Sequence, residues 1–369
     1  MRYENFQDTL EAFVGELESH GVVDILSGLF PIAPLVSRAR MTKMSDRLEE
    51  PLRSFIKVFL VGEFISIERF AGTDFELLIP ELVRQGILTY DSAELKIGTR
   101  GIVLMSVGGL LMFIEKPHYH PTLYYGDESF ALLSRLQFFK GKRVLDLCCG
   151  PGAQGLSLAA TNSHVTLSDV NPLAVALCEI NATLNKLGNV DVLHSNVFDS
   201  VPKEASFDLI VCNPPLLPCP ISVRFPFVGH GGDDGLRVTR EVIEGLPEYL
   251  ADGGSSYISS VLVMGGELDS IEKLRKMVRC SGMSVDVQIT AKYRVDVEPG
   301  VLQMLAATAS ATNKNEYERN LEKMRGHFNR ASARFLCPAI LKLRKSRTTE
   351  KVQVADFSDD GTASLMWYL

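Results

Sequence analysis

Residues 144–159 read VLDLCCGPGAQGLSLA. An apolar, strand-like run carries one acid, Asp146, and passes through Gly150, Gly152 and Gly155 into a helix-like pattern. Strand, glycine turn and helix in that order open a βαβ unit, and the glycines let the backbone turn tightly and come close to a bound cofactor. The GxGxxG spacing taken alone suits a dinucleotide, with Asp169 about twenty residues on to hold a ribose. Asp146 speaks against that reading, because it points negative charge at the site of a pyrophosphate. No second mononucleotide half follows in the usual pattern either. An acid before the glycines suits a cationic cofactor.

Outward from this stretch, strand and helix signals alternate: KRVLDLCC, HVTLSD, VDVLHSN, FDLIVCN and SSYISSVLV are strand-like, with helical patterns between them. The alternation predicts an α/β fold with a mainly parallel sheet and helices on both faces. Ligands then bind at the carboxyl ends of the strands. Residues 1–116 differ. Helical periodicity runs through Phe6–Leu17 and Leu52–Phe64, and a helix ending in Gln-Gly gives way to short alternating stretches. This predicts an N-terminal helical, winged-helix-like accessory domain before a catalytic domain over 117–369, the latter ending in a helix and antiparallel strands. IPELVRQGIL carries one Glu and one Arg, so no basic recognition helix is present. The accessory domain reads as a lid or a homodimer contact rather than a DNA reader.

Composition narrows the partners. Hydrophobic residues are 46% and charged residues 22%, and the net charge is −7, which disfavours a chain that lives on nucleic acid. Between Lys314 and Lys351 eleven Lys or Arg face four Glu. That stretch is either a solvated helix with exposed strand ends or a surface for an anionic substrate or RNA. Seven scattered cysteines without CxxC predict reduced thiols in the cytoplasm and neither a disulfide framework nor a zinc site. Cys148 and Cys149 at an apolar strand end read as packing residues. His118 and His120 lack a third ligand, so no metal is expected. The N-terminus has no signal-peptide pattern, and the apolar run Gly101–Ile114 is short and glycine-broken, so no membrane association is expected.

FDLIVCNPPLLP, residues 207–218, holds an amide at the end of a buried strand that Pro214 and Pro215 stop. As a bare turn it needs no chemistry. Four stretches in order nevertheless resemble the class I S-adenosylmethionine-dependent methyltransferases: VLDLCCGPGAQGLSLA, HVTLSDVNPLAVALCEINATLN, HSNVFDS and VCNPPLLP. The likeness spans most of residues 120–265, and GHGGDDGLRVTREVIEGLPEYLADGG after the fourth stretch is similar to the small-domain group with an Asn-Pro-Pro motif. That resemblance implies a Rossmann-like, seven-stranded core that binds S-adenosylmethionine through Tyr125, Asp146, Cys148, Gly150, Gly152, Asp169, Val170, Asn196, Val197 and Asn213. Asp169 would take both ribose hydroxyls, Asn196 would read the adenine amine, and Val197 would cover the ring. Asn213 and the Pro214 carbonyl would accept hydrogen bonds from the target nitrogen and aim its lone pair at the methyl group.

The family's aromatic after Asn-Pro-Pro is Leu216 here, which weakens the case for a stacked nucleobase. Phe225 and Phe227, in PISVRFPFVGH, are the candidate replacements. With the acidic charge, this favours N-methylation of a planar or amine nitrogen in a small molecule or peptide. The alternatives are a ribosomal-RNA guanine or protein-glutamine N-methyltransferase, and an O-methyltransferase of a small metabolite with His230 as base. Tyr125 and Asp127 in YYGDESFALLSRL either touch the methionine end or start a capped helix.

Overall fold

The computed structural model describes residues 5–28, 38–118, 121–136, 138–162, 164–297, 300–346 and 351–358. At its centre β1 (Arg143–Leu147) pairs in parallel with β2 (His164–Asp169), and β3 (Val190–His194) continues parallel beyond β2. On its other side β1 pairs in parallel with β4 (Phe207–Cys212), which in turn holds β5 (Leu250–Met264). Val144, Leu145, Leu147, Leu209, Ile210 and Val211 have no exposure, as strands covered on both faces require. Beyond β5 the direction changes. β8 (Phe335–Lys345) runs antiparallel between β5 and β6 (Met283–Ile289), the two-residue β7 (Tyr293–Arg294) pairs with β8, and β9 (Val352–Asp356) closes the edge parallel to β6.

Among the described residues the sheet therefore has nine strands, in the order β9-β6-β8-β5-β4-β1-β2-β3 with β7 beside β8. This corrects the expected seven. At the C-terminus β8 is antiparallel as expected, whereas β9 departs from the expectation by running parallel to its neighbour. β7 is two residues long, too short to show the alternation that identifies a half-buried strand, and β9 is an edge strand with mostly exposed side chains.

Side chains alternate across the sheet. Leu145, Leu147, Ile210, Cys212, Ile258 and Leu262 face a core shared with Val242, Ile243, Leu246, Leu274 and Val278. Of the helices, α1 (Asp127–Leu136), α2 (Ala153–Ala159) and α3 (Pro172–Leu184) precede β3, and α4 (Arg237–Tyr249) and α5 (Ser270–Ser281) flank β5. On α4 the buried residues Thr239, Val242, Ile243 and Leu246 recur at helical spacing, giving one apolar stripe for the core. Asp146 lies on the opposite sheet face, against Gly155 of α2. From β1 the chain crosses through α2 to β2 on one side, and from β4 it crosses through α4 to β5 on the other. The carboxyl ends of β1 and β4 thus form a topological switch point, where open α/β sheets bind ligands.

The chain divides into two compact units, residues 1–117 with 176–188 and residues 118–175 with 189–369. The first contains the helices Phe6–Ser19, Val22–Gly28, Arg38–Ser45 and Phe75–Arg84, a three-stranded antiparallel sheet of Ile65–Ser66, Lys96–Thr99 and Leu88–Asp91, and the hairpin of Ile102–Val107 with Leu110–Glu115. Its core is aromatic. Phe13, Phe55, Phe59 and Phe75 are fully buried, with ring centroids 4.9 Å apart for both Phe13–Phe59 and Phe55–Phe75. Asn181 and Asn185, one helical turn apart, exchange hydrogen bonds with the backbones of Phe113 (2.8 and 2.9 Å) and Leu111 (3.0 and 2.6 Å). Side-chain amides thus pair backbone groups of the hairpin strand that would otherwise lie open. No helix among the described residues is long and apolar enough to cross a membrane.

Candidate active site

The turn after β1 alternates into the left-handed backbone region, with φ of +55° at Cys148, +54° at Gly150 and +89° at Gly152. Cys148 is a residue type that rarely adopts this conformation, and such outliers gather where a ligand must be met. The turn is held from below by Gly155. A Cβ there would stand 2.2 Å from Leu167 Cδ2 and 3.1 Å from the Asp146 carboxylate. Only glycine lets α2 come this close to the sheet. Gly155 N–H donates to Asp146 Oδ2 at 2.8 Å, while Oδ1 is buried with no hydrogen-bond partner. Burial pushes the Asp146 carboxyl up to about 7. The Gly155 N–H opposes this, and the negative charge of Asp169 adds to it.

Asp169 ends β2. Its Oδ2 accepts from Gly150 N–H at 2.9 Å and its Oδ1 from Asn171 N–H at 2.8 Å. Burial raises its pKa, and those backbone N–H groups work the other way. Each oxygen keeps a lone pair for a further donor. Val197, at the end of the next crossover, has φ of +48°, and its carbonyl accepts from Ser168 Oγ and Ser195 Oγ, both at 3.2 Å. Two buried serines thereby fix an unfavourable backbone conformation at the edge of the cleft.

Asn213 follows β4. Its Nδ2 donates to Ser129 Oγ at 3.0 Å, while its Oδ1 is buried and has no hydrogen-bond partner. Ser129, on the first turn of α1, also accepts from Gly126 N–H at 3.3 Å. The amide is therefore tethered by its nitrogen, which leaves the oxygen available to a ligand. The chain beyond Pro214 and Pro215 is clamped by the glycine-rich loop: Leu217 N–H donates to Gly229 O at 2.9 Å, Gly231 N–H to Leu217 O at 2.9 Å, and Cys219 N–H to Gly232 O at 2.8 Å. Gly235, at φ +77°, lies against backbone, since a Cβ there would be 2.8 Å from Leu216 O and 2.9 Å from Val261 O. Asp234 accepts from Leu236 N–H at the start of α4 and pairs with Arg240 and Lys273. Burial disfavours its charge, yet Lys273, the Leu236 N–H and Arg240 bring its pKa below the ordinary value. Its role is structural.

A cleft of about 310 Å³ collects most of these groups. Of the expected cofactor and catalytic residues, Cys148, Gly150, Asp169, Val170, Asn196, Val197, Asn213 and Pro214 line it. Tyr125, Asp146 and Gly152 do not. Tyr125 is buried, Gly152 begins α2, and Asp146 lies under the turn because its position in β1 faces α2. Phe227 reaches the cleft and is 59% exposed, whereas Leu216 and Phe225 are buried and line a neighbouring cavity. His230 lines a separate groove, and its Nδ1 accepts from Gly232 N–H, which removes support for it as a base at Asn213. Cys149, buried, also lines the cleft. His120 lies outside the described residues. Lys323 of the basic stretch donates to Ser222 O, while Arg319, Arg344 and Lys345 are each ion-paired to an acid, as on a solvated face.

Sequence reasoning missed Tyr124, Glu128, Ser129, Asn171, Arg237 and Glu241 as lining residues. Of the two readings open for Tyr125 and Asp127, Asp127 begins α1, while the adjacent Tyr124 and Glu128 line the cleft. The cleft carries Glu128, Asp169 and Glu241 against one Arg237. S-adenosylmethionine, a cation without phosphate, fits that charge, the open lone pairs of Asp169 and the free Asn213 oxygen. A pyrophosphate does not.

A family profile described as methyltransferase small domain matches residues 126–295. A Methanocaldococcus jannaschii protein named for protein N5-glutamine methyltransferase activity is 32% identical over 185 residues, covering 48% of this chain and 89% of the relative. Release factor glutamine methyltransferases also match. The one from Leptospira interrogans is 42% identical over 91 residues (22% of this chain, 32% of that protein), and one from Chlamydia trachomatis is 32% identical over 152 residues (38% and 51%). The chain thus spans about half or less of these release-factor enzymes. A solved structure of a ribosomal protein L11 methylase from Lactobacillus delbrueckii subsp. bulgaricus covers 59% of this chain and 77% of its own at 14% identity, with a TM-score of 0.33, a likeness too slight to carry an argument.

Proposed function

Because this chain belongs to the methyltransferase small-domain family of class I S-adenosylmethionine-dependent methyltransferases, we propose that it methylates the side-chain amide nitrogen of glutamine in a protein or peptide. The observation that carries this reading is the Asn213 amide, tethered through Nδ2 and with a buried, unpartnered Oδ1. A buried acceptor without a donor is costly. A substrate N–H removes that cost on binding, and the interaction strengthens as positive charge grows on the nitrogen.

S-adenosylmethionine, when bound, supplies an electrophilic methyl group on a sulfonium. The chain's own residues do the rest. Asp169 would hold the ribose hydroxyls through its remaining lone pairs. Val170, Asn196 and Val197 would receive the adenine, and the backbone of Cys148 and Gly150 would receive the amino-acid end. Asn213 Oδ1 and the Pro214 carbonyl accept from the acceptor N–H groups and turn the nitrogen lone pair toward the methyl carbon. Pro214 and Pro215 hold that acceptor pair rigid, so little reorganisation accompanies transfer.

The names of the relatives support glutamine over the small molecule that the acidic charge and Leu216 favour in the sequence. Leu216 suits glutamine as well. Buried at 4% exposure, it provides no stacking surface of the kind an extruded nucleobase requires, whereas a primary amide requires none. The test is to incubate the purified enzyme with methyl-labelled donor and whole-cell extract, then separate protein, RNA and metabolites. Label on glutamine residues, found as a 14-dalton increment on the side chain by mass spectrometry, is the expected result. Label confined to RNA or to metabolites overturns the reading.

A further inference from the structure

We propose that Glu128 is a catalytic residue that takes the proton released by the acceptor nitrogen, which commits the enzyme to acceptors whose nitrogen still bears hydrogen, a primary amide or amine. The inference deepens the reading above and rests on methyl transfer at Asn213.

Glu128 is on the first turn of α1, next to Ser129, whose hydroxyl holds the Asn213 amide at 3.0 Å. It lines the cleft that contains Asn213 and Pro214. It also lines an adjoining cavity of about 100 Å³, formed mainly by apolar residues that include Leu216, Phe225 and Val228. Tyr124 is shared by the same two cavities, and its hydroxyl donates to Glu128 Oε2 at 3.1 Å. The Tyr124–Glu128 pair is thus the wall between the donor cleft and the space beyond the Asn-Pro-Pro backbone. Among the described residues no Lys or Arg forms an ion pair with Glu128, and a carboxylate with two donors, its own N–H and the Tyr124 hydroxyl, keeps acceptor sites open.

The chemistry asks for such a group. The acceptor nitrogen forms a bond to the methyl carbon, and the electron pair of the broken carbon–sulfur bond stays on sulfur. The nitrogen, now cationic, then breaks one N–H bond and keeps the pair, and the proton goes to a Glu128 oxygen and later to water. Asn213 Oδ1 and the Pro214 carbonyl orient the nitrogen, but amide oxygens are too weakly basic to keep a proton. Burial raises the Glu128 carboxyl to about 7. Its own backbone N–H and the Tyr124 hydroxyl lower it, and Asp127 raises it. That range suits a base working near neutrality. The other titratable groups facing the cleft are Cys148, Cys149, Asp169, Arg237 and Glu241.

The test is the pH dependence of kcat/KM, measured with a synthetic glutamine-containing peptide, or with whichever acceptor fraction takes the label in extract. The wild type is expected to gain activity as pH rises to a plateau above about 7, the low-pH limb being protonation of Glu128. Glu128→Gln should lose about 10²-fold in kcat and lose the limb, with S-adenosylhomocysteine affinity by calorimetry unchanged. Tyr124→Phe, which removes a bond to the charged form, should move the limb to higher pH. Asp146→Asn should leave the limb in place, which excludes the nearby carboxyl that burial also raises to about 7. A Glu128→Gln enzyme with the wild-type rate and profile overturns the inference. So does one whose main loss is S-adenosylhomocysteine binding, since Glu128 would then hold the donor. Should label appear only in RNA or metabolites, the glutamine reading falls, and the same variants on that acceptor still judge Glu128.

Discussion

At the scale of single residues, the site turns on an amide oriented by a hydroxyl 84 residues away in sequence. Asn213→Ala removes the acceptor oxygen, with an expected loss of about 10²–10³-fold in kcat, the range for deleting one preorganised transition-state partner. S-adenosylhomocysteine affinity should hardly change, since the residues proposed for the ribose and adenine are other ones. Ser129→Ala leaves the acceptor in place but frees the amide to rotate, so its loss should be smaller, about tenfold. Steady-state kinetics beside calorimetry separates these outcomes, and equal losses in both variants would count against a positioning role for Ser129. Asn213 was legible in the sequence because two prolines stop an apolar strand immediately after it, a local signal. Ser129 was not, because its role exists only once α1 is brought to the end of β4. Asp146 was legible as an acid beside the glycines but misjudged in its aim, since strand alternation decides the face and a one-residue view of a turn does not.

At the scale of elements, the segment after Asn-Pro-Pro depends on glycines that come later in the chain. The Gly235 φ of +77° and its approach to two carbonyl oxygens leave no room for a methyl group. Gly235→Ala is expected to cost on the order of 1–2 kcal/mol from the left-handed backbone alone. The contacts add to this, because backbone carbonyls cannot move aside as a flexible side chain can. Displacing Leu216 O also drags the neighbouring Pro214 carbonyl, so kcat should fall along with the urea midpoint. A variant that loses stability with unchanged kcat would show that the loop does not position the acceptor pair. The elements β1 to β5 were legible because apolar runs or apolar-polar alternations recur between helical patterns and turn residues. The joining of residues 176–188 to the N-terminal unit was not, because it rests on Asn181 and Asn185 pairing with backbone groups, and asparagine spacing on a helix carries no signal for which strand it will meet.

At the scale of the whole molecule, the cleft and the turn above Asp146 concentrate carboxyls with raised pKa values, and this sets how global stability responds to pH. Asp146 is the clearest case: its ordinary value of 3.8 in the unfolded chain becomes about 7 in the fold, where burial penalises its charge. Below about 4 both states carry the proton and the group contributes no difference. Between about 4 and 7 the unfolded chain releases the proton while the folded chain keeps it, so stability falls as pH rises, and above 7 the deficit is constant. At about 1.4 kcal/mol per unit, a separation near three units bounds the loss at roughly 4 kcal/mol. Asp169 and Glu128 shift in the same direction, with part of their effect screened because both line a solvent-reached cleft. Asp234 and Asp356 shift downward, so their stabilisation is present above about 4 and is lost only in more acidic solution. The two windows therefore separate. Thermal melts of the apo protein should show Tm falling from pH 5 to pH 8. Asp146→Asn, which keeps an acceptor for Gly155 N–H but has no charge to bury, should flatten most of that fall and be the more stable protein at pH 8. If the slope survives in Asp146→Asn, the carboxyl is not held in the uncharged form that its burial and unpartnered oxygen require.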